Sequence, residues 1–440
     1  MCKRWWLVLL WLLGSLYACT PTEPSLSLFP SRARPGEEVE ARLQGMRGLE
    51  ARVVVGGVEA EVVRREPSRV VFRVPALPGG PKPVQVESGG RRAEASLGVL
   101  GAVDPKRILL RLPLGETPRL PEGFTLLQSE DLAACGFALA ELGYGGEALG
   151  KALEELEAQD PDYKADPESL WSLGGVAGGE AVGAPLAHGR GLTGQGVRVA
   201  VLDTGVDPTI PQLPGYDFVE DDADPQDAFP GGHGTGAAGL VKEVAPGAGI
   251  IPVRVCDENG VCRASRVVRG VCWVLAHREG PTVLSLSLGG DTPVEALRLA
   301  LEAALAQGIP VAAAAGNQGK QGSPAHYPAA LDLPGLVAVG ALETDGKAWR
   351  PAPYSTQGTY LDLAAPGTDL DCSLPGGGRG SCTGTSFATP LVAGAMALWL
   401  EKNPNLTPAG LQEALLQHAN PLPFPPQAVG KGMLDLRKAP

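Results

Sequence analysis

The rhythm of hydrophobic and polar positions changes twice along the chain. Over residues 21–100 the stretches EVEARLQ, ARVVVGG, EAEVVRRE, RVVFRVPAL and PVQVES alternate at period two and are punctuated by Gly and Pro. Such alternation puts one face of each strand in a core and the other in water, the pattern of a small β-sandwich. Over residues 104–168 two strand-like runs, RILLRLPL and FTLLQ, precede ALGKALEELEAQ, where Leu149, Leu153 and Leu156 fall on one helical face. DPDYKADPESLW then turns into a further strand, expected to be exposed, so that the segment reads as a small β-α-β unit. From residue 169 to 440 short runs that are apolar throughout, VRVAVLD, GIIPVRV, TVLSLSLG, IPVAAAAG and LVAVGAL, alternate with Ala- and Leu-rich helical stretches such as PVEALRLALEAALAQG. Strands of that kind belong in a parallel sheet covered by helices on both faces, with sites at the carboxyl ends of the strands. The expected fold class is α/β for the main body, preceded by the sandwich and a small α+β segment.

Charge narrows the range of partners. The formal net charge is −12, and residues 101–440 alone carry −16. An acidic body repels phosphate backbones, which argues against nucleic acid. The start, MCKRWWLVLLWLLGSLYAC, places Lys3 and Arg4 before an apolar run over residues 5–13. A membrane span needs about 20 apolar residues, so this run suits a secretory signal over residues 1–19 instead. Leu16-Tyr17-Ala18 before Cys19 resembles a bacterial lipobox, although Tyr17 replaces the small residue usual there. The resemblance implies acylation of Cys19 and attachment to the membrane as a cell-envelope lipoprotein, with release after processing as the alternative.

Export changes the reading of the cysteines, because an oxidising compartment favours disulfides. Cys256 and Cys262 flank the turn DENG, and Cys372 and Cys382 flank SLPGGGRGS, so both pairs are expected to close short loops. Cys135 and Cys272 stay unassigned, with buried free thiols as their plain reading. Clustered C-x-x-C or His partners for zinc are absent from the sequence.

Three segments end a buried strand or open a helix with a reactive residue: VAVLDTGVD carries Asp203, GGHGTGAAGLV carries His233, and GTSFATPLVAGAMALWL carries Ser386. A serine hydroxyl is a weak nucleophile at neutral pH. It needs an imidazole to take its proton and a carboxylate to orient that imidazole. The order Asp, His, Ser distinguishes this arrangement from the other two common orders of the triad. Gly384 and Thr385 start a helix at Ser386, where free N–H groups favour an oxyanion, and Pro390 near the first turn is expected to cost little. Gly234 and Gly236 are expected to leave room for substrate. Taken singly, each residue has a blander reading as a cap or loop residue. His188, His277, His326 and His418 lack comparable settings and read as surface or core residues.

Residues 192–397 resemble the subtilisin-like serine proteases, with three signature blocks in order and G-T-S-x-A-x-P spanning residues 384–390. Ala237 departs from the Val more usual after H-G-T-x. The resemblance implies a serine endopeptidase acting on proteins or peptides. Asn317 in AAAAGNQG would be the oxyanion-hole side chain, and Ser287, Leu288 and Gly289 in SLSLGG would pair with extended substrate. The ending ALEELEAQDPDYKADP resembles the family's propeptides, implying a zymogen cut between residues 165 and 182. The sandwich resembles the IPT/TIG branch of immunoglobulin-like domains. No cofactor is required. Calcium is conceivable at EDDADPQD over residues 220–227, but a solvated acidic loop is the favoured reading. The chain is expected to act as a monomer. A catalytically silent cell-surface binding protein is the alternative from another class, and an esterase would use the same triad.

Overall fold

Alternation in the first segment becomes two facing sheets. One joins Ser25–Phe29, Glu38–Gln44, Arg69–Arg73 and Glu61–Glu66; the other joins Arg32–Ala33, Arg91–Val99, Gly80–Ser88, Arg52–Val55 and Val58–Glu59. Val39, Ala41, Val53, Val55, Phe72 and Val86 fill the space between them. The computed structural model describes residues 24–77, 80–100, 103–146, 148–172, 181–437 and 440. The expected leader and Cys19 lie outside these residues.

The next unit is a sheet of Phe124–Leu132, Phe137–Tyr144, Val103–Leu112 and Lys164–Ser172 in which neighbouring strands are antiparallel. Phe137–Tyr144 and Lys164–Ser172 flank Val103–Leu112, run parallel to each other and are joined through a helix, so the expected β-α-β unit is present, split by one strand. Helix α1 (Leu149–Glu157) lays Leu149, Leu153 and Leu156 against Ile108, Leu110, Leu142 and Tyr163. The extra strand, FALAELGY, was hidden by Ala, Glu and Gly, which have low strand propensity. Lys164–Ser172 is not exposed, and it continues past residue 168, where the sequence pattern placed the end of the unit. Residues 165–169 are buried, the strand lying against the helix starts at Ser265 and Ala296 of the following domain, and residues 170–172 pair with Val261–Arg263 of that domain.

That domain is built on parallel strands in the order Tyr216–Asp217, Gly249–Arg254, Arg198–Asp203, Thr282–Leu286, Val311–Ala314 and Leu336–Thr344, with Leu363–Pro366 also parallel to the last. The middles of its central strands are apolar because both faces are covered. Val199 and Val201 point into one core with helices α2 (His233–Val244) and α5 (Thr385–Lys402). Ala200 and Leu202 point into the other, with α3 (Ala264–His277) and α4 (Glu295–Ala306). Ala237 lies fully buried on α2, so the loss of two side-chain carbons relative to Val is a packing matter.

Of the two cysteine pairings expected, one forms and one does not. Cys256 and Cys262 are bonded as expected, being directly opposed with Cα atoms 4.0 Å apart. Cys372 and Cys382 are buried free thiols. In their hairpin Cys372 opposes Gly380 and Cys382 opposes Leu370. Such diagonal neighbours stand about 7–8 Å apart at Cα, beyond normal disulfide reach. A hydrogen bond to Cys382, followed by burial, pushes the Cys372 thiol up. Cys135 and Cys272, which the sequence left unassigned, are bonded, with Cα atoms 5.7 Å apart. Among the described residues no helix is long and apolar enough to cross a membrane.

Candidate active site

Asp203 closes the strand Arg198–Asp203 at its carboxyl end and is fully buried. Its Oδ1 accepts the Thr204 backbone N–H at 2.7 Å and lies 2.8 Å from Nδ1 of His233, the first residue of α2. A carboxylate only accepts, so Nδ1 carries a proton, and in the neutral form of the ring Nε2 is the acceptor. Gly234 makes this approach possible, because a Cβ there would lie 2.1 Å from the Gly205 carbonyl oxygen and 3.0 Å from Cβ of Asp203. The expectation that Gly234 and Gly236 clear space for substrate is therefore corrected. Gly234 faces the strand end, and Gly236 faces Phe387, Cys372 and Cys382 in the core.

The third element is the start of α5. Ser386 is its second residue, and the imidazole of His233 packs on the neighbouring Phe387 with ring centroids 4.7 Å apart. Pro390 is the sixth residue of α5, not a first-turn residue as the sequence suggested. An N–H at that position would have bonded the Ser386 carbonyl. The Ser287 hydroxyl takes its place, donating to the Ser386 oxygen at 2.6 Å. Thus the segment that follows Thr282–Leu286 is fixed to the residue after Thr385 by the gap that proline leaves.

Asn317 follows Val311–Ala314, again at the carboxyl end of a strand. Its Oδ1 accepts from the Thr385 backbone N–H at 2.9 Å and from the Thr385 hydroxyl at 3.1 Å. Both bonds orient the amide, leaving the Nδ2 hydrogens on its other side. Thr385 also accepts from the Gly316 N–H at 3.1 Å. The sequence marks Thr385 only as a small residue in the G-T-S block; its positioning role becomes visible once the strand ends converge. Leu288 is buried, and Gly290 exchanges backbone hydrogen bonds of 2.9 and 2.7 Å with Tyr327.

His326 is the residue whose setting the sequence did not reveal. Cβ atoms added to Gly289 and Gly316 would come 2.6 Å from its Nε2 and 2.6 Å from its Cγ. The imidazole is thus wedged between the Ser287–Gly289 segment and the backbone just before Asn317. Burial pushes its pKa down to about 4, with the Asp291 charge opposing, so the ring is neutral at physiological pH. Its Nδ1 is buried without a hydrogen-bond partner among the described residues.

The remaining acidic groups hold loops together. Asp227 accepts from the Thr235 N–H at 2.9 Å and its hydroxyl at 2.6 Å, while burial pushes its carboxyl up. Asp207 accepts from Thr209 and from the Gly376 N–H. Among the described residues no three His, Cys, Asp or Glu side chains converge as metal ligands.

The subtilase (Peptidase S8) family model matches residues 194–435. Subtilisin E of Bacillus subtilis is 37% identical over 271 residues, covering 58% of this chain and 68% of that protein. The subtilisin of Bacillus pumilus is 37% identical over 269 residues, covering 58% of this chain and 95% of that protein. A crystal structure of fervidolysin from Fervidobacterium pennivorans, a keratinolytic enzyme related to subtilisin, aligns with TM-score 0.63 at 22% identity. It covers 77% of this chain and 62% of that one, a likeness of fold. The family match takes in more than half of the chain and every residue of the site just described, and the protein is a member of the subtilase family.

Proposed function

We propose that the protein is an exported serine endopeptidase, made as a zymogen and acting on proteins or peptides as a monomer. The observation that carries this reading is the buried Asp203–His233 pair, 2.8 Å apart, set against the helix start that bears Ser386. Ser386 Oγ attacks the peptide carbonyl while His233 Nε2 takes its proton. Asp203 holds the Nδ1–H tautomer and stabilises the imidazolium. Nδ2 of Asn317 and the Ser386 N–H bind the oxyanion, and Thr385 keeps the amide turned for that task. His233 then gives the proton to the leaving amine, and water hydrolyses the acyl-enzyme by the same route. Ser287, Leu288 and Gly289 hold the substrate as an added strand. The chemistry runs on side chains and backbone alone, and needs no resident cofactor.

In this reading residues 104–172 are a pro-region. Its last strand is held on the peptidase by pairing with Val261–Arg263 and by two buried carboxylates. Asp166 accepts from the Ala296 N–H at 3.1 Å at the start of α4, and Glu168 accepts from the Ser265 N–H at 3.3 Å at the start of α3. Neither helix has a capping side chain of its own at its N-cap, so the pro-region supplies both caps. Export and a lipid on Cys19 complete the proposal. Digestion of casein by the purified protein, lost in Ser386→Ala, is the expected result. Hydrolysis of short-chain esters with casein left intact would favour an esterase, and no hydrolysis of either would favour a silent binding protein.

A further inference from the structure

Cys135 and Cys272 lie in two different folding units. Cys135 ends a short turn between the strands Phe124–Leu132 and Phe137–Tyr144 of the pro-region, whereas Cys272 sits within α3 of the peptidase. The bond spans 137 residues of chain, and the whole interval in which a propeptide cut is expected, residues 165–182, falls inside it. A cut anywhere in that interval leaves the two pieces covalently joined.

We propose that this bond makes the processed enzyme a two-chain molecule, in which the pro-region and the sandwich remain attached to the peptidase after cleavage. The inference rests on the zymogen reading above. It removes a difficulty in that reading: without the bond, processing would separate the front module, and any lipid at Cys19, from the peptidase. Instead the peptidase stays on whatever the front module is fixed to. Contacts around the bond hold the same face closed. Arg269 pairs with Glu130 at 2.7 Å, and the Gln307 amide donates to the Ala134 carbonyl at 3.3 Å. The front module in turn grips the pro-region through Arg32, which bonds Glu157 at 3.2 Å and the Ala165 carbonyl at 2.9 Å. A short tether of this kind keeps the cut pro-region at an effective concentration on the order of millimolar, so dilution does not separate it from the peptidase.

The test uses the full chain exported and purified without reductant, alkylated, and labelled with a fluorescent fluorophosphonate. Without reductant the label is expected at the mobility of the full chain; after dithiothreitol it is expected on a shorter peptidase piece. Peptide mapping of the unreduced sample is expected to find Cys135 joined to Cys272. Label on the short piece before reduction, or alkylated Cys135 and Cys272, overturns the tether. Label on a full-length band under both conditions shows that no cut occurs and overturns the two-chain form while leaving the peptidase reading intact. A sample without label contradicts the peptidase reading instead, and the peptide map then still decides the bond.

Discussion

Gly316 answers to two neighbours at once. Its φ of +96° suits glycine, its missing Cβ makes room for His326, and its N–H is bound by Thr385, which also turns Asn317. Two outcomes follow at this scale. Asn317→Ala should lower kcat about 100- to 1000-fold with KM little changed, the loss known for such a donor in a subtilisin. Steady-state kinetics on a chromogenic peptide checks it. His326→Gly should deepen the space between Gly289 and Gly316, so that peptides with a large aromatic residue before the cleaved bond gain at least about tenfold in kcat/KM relative to those with Ala, as expected when binding energy is spent on a newly filled pocket. An unchanged ratio in a peptide p-nitroanilide series would show that the imidazole lies outside the pocket. The segments that carry Asp203, His233 and Ser386 stood out in the sequence because each is a short block with its glycines. His326 was not, since nothing local marks a core histidine as the one that two strand ends close upon.

The strand Lys164–Ser172 joins two domains by carboxylates, and these respond to pH. Burial pushes the Asp166 carboxyl up to about 6, with Arg32 and the Ala296 N–H acting against it and the Glu295 charge adding to it. Burial also pushes the Glu168 carboxyl up to about 7, aided by the Glu141 charge and opposed by Ser265 and Arg263. Both values lie above those of free carboxyls, so docking takes up protons. The contribution is complete below about pH 4 and is lost as pH rises through 6 and 7. Hydrogen exchange in the inactive Ser386→Ala protein, corrected for intrinsic rates, should show amides of this strand at least about tenfold less protected at pH 8 than at pH 5, within the range that shifts of two pKa units allow. Glu168→Gln should flatten that dependence; equal protection at both pH values would refute it. The sequence showed α1 through its leucine spacing, but it gave the strand a polar look. Asp166 and Glu168 are acidic because they cap helices of another domain, a partnership no local pattern displays.

At the scale of the whole molecule, three packed units follow one another, and the joints between them are specific. Gly150 of α1 lets the helix lie on the sandwich, since a Cβ there would fall within 1.8 Å of the Arg32 carbonyl oxygen. Gly150→Leu should therefore detach the sandwich while sparing the peptidase. Small-angle scattering should report a larger radius of gyration with unchanged peptide hydrolysis, whereas an unchanged radius would mean that other contacts fix the joint. The α/β architecture was readable from runs such as VAVLD, because a sheet covered on both faces demands apolar residues at every position. The joints were not, as the pairing of Cys135 with Cys272 depends on how two units meet. The proposed activity comes down to one hydroxyl made nucleophilic by its neighbours. Fluorophosphonate labelling, with the modified residue located by mass spectrometry, reads this directly. Labelling of the wild type at Ser386, with little or none in His233→Ala and none in Ser386→Ala, is predicted. A folded wild type that stays unlabelled, or carries its label on another residue, would contradict it.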